Sequence, residues 1–269
     1  MRSILLKIED DTCLEARLQA ALDLARGFGG HVTCLQTIAL DIVMPGDLNG
    51  IYVSEIVPVL RRKAAELRAL IEPRLAAEDV AWDWVVDEGA ALGCLLRRSA
   101  LSDVVVLGSL EPFGGAASDL AADVVLHSRT PVLLVPPGTT GFACDGPVVV
   151  AWNGSPEASR ALKSALPLLA RAGSVVLASV LGKEGAGNQG LPAIEGAAYL
   201  SRHGIECEMT EFPREGRSVA QVLADAATLR HASCLVMGAY GHARLIETIW
   251  GGVTKELFAR PPLPILACH

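Results

Sequence analysis

The chain has 269 residues, 51% of them hydrophobic and 20% charged, with a formal net charge of −7. That length holds one large domain or two of ordinary size, and that apolar share supports a full core. No window reaches about 18 uninterrupted apolar residues, which excludes a membrane span, and the deficit of cations excludes a nucleic-acid partner. Residues 1–140 hold 12 Lys and Arg against 19 Asp and Glu, whereas residues 141–269 hold 11 of each, so the whole deficit lies in the first half.

The opening run, Met1 to Lys7, is too short for a secretory signal and reads as the first strand, Ile4–Ile8. Apolar residues at helical spacing follow over Leu14–Phe28. Then come a strand over Val32–Ile38, a long loop, a helix from about Ile51 to Ala77, a strand over Ala81–Val86 and a short helix through Arg98. A strand over Val104–Leu107 ends at Gly108, and a helix near Leu120–His127 precedes a strand over Pro131–Val135. Turn formers dominate Pro136 to Gly141.

The second half repeats the order. Strands are predicted over Val148–Trp152, Ser174–Val180, Ile205–Phe212, Cys234–Met237 and Pro264–Ala267, and helices over Ser155–Ala170, Leu191–Arg202, Ser218–His231 and Val253–Ala259. Marks recur between the halves at offsets near 130 residues: Glu88-Gly89 with Glu215-Gly216, Gly108 with Gly238, and Val132 with Ile265. The division is 1–137, a linker 138–143, and 144–269. Strands alternating with helices imply two open parallel sheets, each covered by helices on both faces, with ligands at the carboxyl ends of the strands.

The richest stretch is Gly238-Ala-Tyr-Gly241, then nine residues, then Gly251-Gly252-Val253-Thr254. Glycines closing a strand admit close backbone approach, and a helix N-terminus opened by glycines presents N–H groups to an anion. His242 and Arg244, within the spacer, and the Thr254 hydroxyl are candidate phosphate contacts, Arg244 being the better bidentate partner. At the end of the first strand of this half, Ser155 caps a helix with Pro156 at its first position.

The spacing Gly238, Gly241, Gly251 resembles the ATP-binding loop of the universal stress protein family, Gly-x2-Gly-x9-Gly-(Ser/Thr), with Gly252 where that family has a hydroxyl residue. The resemblance implies two tandem Rossmann-like α/β domains that pack through their final strands as a pseudo-dimer, with homodimerisation a further option. It implies a cytoplasmic stress-response regulator that binds ATP or another adenine nucleotide in the C-terminal domain, with magnesium the accompanying ion and hydrolysis slow or absent. It places Asn153 at a strand end where the family has Asp, Val180 beside the adenine edge, and Gly238, Gly241, His242, Arg244, Gly251, Gly252, Val253 and Thr254 along the phosphates.

The first half lacks this loop: the second glycine of the pattern falls at Glu111, and Glu9-Asp10-Asp11 adds negative charge at the first strand end, read as a solvated loop. Gly185-x-Gly187-x2-Gly190 matches a dinucleotide pattern but begins several residues beyond its strand. The six histidines show no metal spacing, and no catalytic residues are assigned. Seven scattered cysteines without a Cys-x-x-Cys pair suit a reducing compartment. The rival readings are a module of the same fold that binds no nucleotide and a nucleotide-dependent enzyme of related fold.

Overall fold

A computed structural model of the chain describes residues 1–39, 51–109, 120–181, 191–241 and 252–269, and side chains within these except at 51–55. Its elements run β1 (Ser3–Ile8), α1 (Leu14–Phe28), β2 (His31–Ile38), α2 (Ile51–Ala76), β3 (Ala81–Glu88), α3 (Ala91–Ser99), β4 (Val104–Gly108), α4 (Leu120–His127) and β5 (Val132–Val135). They continue as β6 (Val148–Ala151), α5 (Pro156–Leu169), β7 (Val175–Val180), α6 (Ala193–Arg202), β8 (Glu208–Phe212), α7 (Val219–Leu229), β9 (Cys234–Gly238), α8 (Gly252–Ala259) and β10 (Ile265–Cys268).

The strands form one sheet in the order β3-β2-β1-β4-β5-β10-β9-β6-β7-β8. The expected pair of parallel sheets is therefore a continuous sheet whose halves have the same internal order. Every pairing is parallel except at the seam, where β10 runs antiparallel to β5 with Leu266 opposite Leu133. The central strands are apolar runs buried on both faces, as covered parallel strands must be: β4, β5, β6, β9 and β10 are nearly sealed from water. The outer strands β3 and β8 are more exposed and carry Asp83, Asp87, Glu208 and Glu211, charges that discourage pairing with another edge.

Two apolar layers flank the sheet. One packs Leu18, Leu22 and Leu75 of α1 and α2 with Leu162, Leu168 and Leu200 of α5 and α6. The other packs Leu95 and Val124 of α3 and α4 with Leu223, Leu257 and Phe258 of α7 and α8. Residues 136–147 form turns only, yet are anchored: the Phe142 N–H donates to Asp23 on α1 at 2.9 Å, and its ring is 5% exposed.

Two boundaries differ from the sequence expectation for local reasons. Helix α6 starts at Ala193 rather than Leu191, because Leu191 is held against the β6–α5 turn: its N–H donates to the Gly154 carbonyl, and its own carbonyl accepts the Trp152 indole N–H, both at 3.0 Å. Strand β8 starts at Glu208 rather than Ile205, because the Ile205 side chain turns into the core instead of joining the ladder, whose first pair is Val176 with Glu208.

Candidate functional site

In the second half the chain leaves β6 toward β7 on one side, while β9 lies on the other. This reversal of strand order is where doubly wound sheets open a crevice at the strand carboxyl ends. The first wall is the β6–α5 turn. The Asn153 side-chain oxygen accepts the Ser155 N–H at 3.1 Å, and Gly154 takes φ 72°, a left-handed conformation that favours glycine. The Ser155 hydroxyl then accepts the Ala158 N–H at 3.1 Å, the expected N-cap of α5.

The second wall is the strand-end loop after β9. A Cβ at Gly238 would lie 2.5 Å from the Ala158 nitrogen, and one at Gly241 would lie 2.8 Å from Glu157 Oε2. Gly238 is thus required by the close approach of the α5 backbone, whereas a Cβ at Gly241 would meet only the movable carboxylate end of Glu157. Between them Tyr240 adopts φ 60°, uncommon for a side chain of its size, and its ring meets Phe258 edge-on at 6.2 Å. The buried Thr254 hydroxyl accepts the Tyr240 N–H at 3.3 Å, tying the first turn of α8 to this loop. The chain end reinforces it: the Ala239 N–H donates to the Cys268 carbonyl, and the His269 ring nitrogen Nδ1 donates to the Ala239 carbonyl, both at 2.9 Å.

These walls enclose a cleft of ≈ 300 Å³ lined by Asn153, Val180, Gly238, Gly241, Gly252, Val253 and Thr254 among the residues expected from sequence. His242, Arg244 and Gly251 lie outside the described residues, as do Glu111 and the Gly185–Gly190 pattern. The sequence reading missed the apolar slot formed by Ala151, Trp152, Ala178, Val219, Leu223 and Met237, and it missed Glu157 and Tyr240. Tyr240 was discoverable, being set between two loop glycines. Glu157 was not, since an acid in the first turn of a helix is ordinary.

Glu157 is the charged side chain among the described lining residues. Its Oε2 atom is buried without a hydrogen-bond partner, and its Oε1 lies a long 3.9 Å from the exposed Arg160 guanidinium. Among the described residues no group of three or more His, Cys, Asp or Glu is arranged to hold a metal ion.

The corresponding place in the first half, at the ends of β1 and β4, is filled from within. Arg17 of α1 is 1% exposed. Its Nε donates to the Lys7 carbonyl at 2.8 Å, its Nη1 to both Asp11 oxygens at 2.6 and 2.7 Å, and its Nη2 to the Glu9 carbonyl. Lys7 pairs with the Glu9 carboxylate. What remains is a space of ≈ 20 Å³. The expectation of a solvated acidic loop at Glu9-Asp10-Asp11 holds for Glu9 and Asp10, which are exposed, and is corrected for Asp11, which turns inward to the buried Arg17. Burial, and secondarily the Arg17 charge, pull the Lys7 ammonium down to about 8. The seven cysteines are free, and burial pushes the thiols of Cys34 and Cys234 up to about 12, which keeps them protonated and unreactive.

In doubly wound α/β sheets, ligand sites lie in the crevice at a strand-order reversal, where this cleft opens. Residues 146–269 match the model of the universal stress protein family. Along its whole length the fold is similar to that of a universal stress protein from Archaeoglobus fulgidus, at TM-score 0.75 and 18% identity over 98% of this chain and 97% of that one. It is also similar to a functionally unknown protein from Pseudomonas aeruginosa PAO1, at TM-score 0.55 and 15% identity over 100% of this chain and 92% of that one. At these identities the likeness establishes the fold. No curated protein matches the chain.

Proposed function

We propose that the chain is a cytoplasmic stress-response regulator that binds ATP or another adenine nucleotide in the cleft of its second half, with little or slow hydrolysis. The observation that carries this reading is convergence. Residues far apart in sequence, from Asn153 to Thr254, line one cleft at the reversal of strand order, between the N-terminal turns of α5 and α8. The apolar slot between Val180, Leu223 and Met237 suits a purine ring. The amides at the start of α8 suit phosphate, and Gly252 and Val253 would present them. Magnesium would travel with the phosphates, because the described residues offer it one carboxylate, Glu157.

In this reading residues 1–137 are a structural domain, joined by the 138–143 linker to the nucleotide domain at 144–269. Arg17 supports the asymmetry, since its guanidinium already occupies the place a ligand would take. Calorimetric titration with ATP and magnesium should give one site per chain, and Gly241→Asp should abolish it. The new side chain would be driven against the Glu157 carboxylate, since even its Cβ would lie 2.8 Å from Oε2. Two equal sites, or full affinity in Gly241→Asp, would overturn the assignment.

The alternative, a module of the same fold that takes no nucleotide, draws on the carboxylate in the cleft lining. Absence of binding by adenosine, ADP and ATP, with and without magnesium, would decide for it.

A further inference from the structure

We propose that Glu157 sets the charge selectivity of the cleft, admitting an adenine nucleoside freely and its phosphorylated forms only with a divalent cation to screen the phosphates. This rests on the nucleotide reading of the site and goes beyond it in naming the residue that ranks the ligands.

Three observations support the role. First, Glu157 stands at the start of α5 directly beneath the strand-end loop: its Oε2 is 2.8 Å from the position of a Gly241 Cβ, and its Cβ is 2.9 Å from that of a Gly238 Cβ. The carboxylate thus underlies the loop that the proposed function assigns to phosphate. Second, Oε2 is buried and accepts no hydrogen bond. A desolvated carboxylate oxygen without a donor raises the free energy of the site, and a cation or hydroxyl arriving with a ligand lowers it again. Third, its neighbouring cation is a poor counter-ion: Arg160 approaches only the other oxygen, at 3.9 Å, and is 54% exposed. Among the described lining residues a phosphate chain entering without a cation meets the Glu157 charge alone, whereas a nucleoside brings hydroxyl donors and no charge.

The Coulomb energy between like charges sharing a partly buried cleft corresponds to about tenfold or more in affinity. The full chain and its Glu157→Gln variant would be titrated calorimetrically with adenosine, with ATP in EDTA, and with ATP in magnesium. The expected result is at least about tenfold tighter ATP binding in EDTA for Glu157→Gln, adenosine affinity within about twofold of the parent, and a smaller gain from magnesium in the variant. Glu157→Asp, which keeps the charge, should keep the discrimination, and thermal melts of both variants would confirm an intact fold. Equal ATP affinity of parent and Glu157→Gln in EDTA would overturn the proposal, as would an equal gain for adenosine, which would mark a packing effect. These results are distinguishable from failure of the nucleotide reading, which is the parent binding neither adenosine nor ATP under any of the conditions.

Discussion

Arg17→Ala tests whether the first half is closed from within. Arg17 is 1% exposed and makes four hydrogen bonds: two to the Asp11 carboxylate, one to the Lys7 carbonyl and one to the Glu9 carbonyl. Truncation leaves Asp11, whose side chain is 16% exposed, without its cation, and removes the guanidinium donor from the Lys7 and Glu9 carbonyls. Breaking a buried ion pair by removing one partner costs about 3–5 kcal/mol. Two effects offset part of this. The vacated space is polar and admits water, and Lys7 loses a repulsive neighbour. The net loss should be about 3 kcal/mol, which for a chain of this size lowers the melting temperature by roughly 6–12 °C. Differential scanning calorimetry at pH 7 reads this directly. A cycle with Asp11→Asn isolates the pair: the double variant should be more stable than additivity allows, by about 1–3 kcal/mol. A melting temperature within about 2 °C of the parent, or strictly additive losses, would refute an internal plug.

Lys7→Met should stabilise the protein at pH 7 and change its pH dependence. The folded pKa of about 8 lies below the unfolded 10.5, so the unfolded chain binds more protons between those values and parent stability rises with pH across that window. The cost of burying the cation, about 3 kcal/mol, is fully present below pH 8, and the gap between variant and parent should close toward pH 10.5. Urea midpoints at pH 7 and 10 measure it, and a constant gap would contradict the assignment. Gly252→Ser should tighten ATP binding about fivefold, because a Cβ there meets nothing within 4 Å and the hydroxyl would sit at the start of α8 facing the cleft. Weaker binding in that variant would mean that the phosphates do not pass this turn.

The element order was legible from hydrophobic period alone. Helix α1 matches its predicted bounds, and the apolar runs at Val104 and Val132 became fully buried strands because a parallel sheet covered on both faces leaves no polar side. Gly238, Gly241 and Gly252, local signals in the sequence, line the cleft, while Gly251 of the same spacing lies outside the described residues. The reason for Gly238 was not legible: the Cβ it lacks would strike the backbone of α5, some 80 residues earlier in the chain. Glu157 and Trp152 were missed because they join the glycine loop in one cleft lining only through the reversal of strand order.

By itself, then, the sequence determined the alternation of strands and helices, the burial of the central strands and the positions where the backbone turns sharply. These depend on residues within a few positions of one another. The tertiary structure decided how the final strands meet: β5 and β10 pair antiparallel, so the two halves share one continuous sheet. It alone placed Arg17 in the crevice of the first half, whereas the second half leaves its crevice open beside Glu157. A charged residue on a helix reads the same in sequence whether it meets water, a buried carboxylate or a cleft. The partner that settles its role arrives through folding, from another strand end.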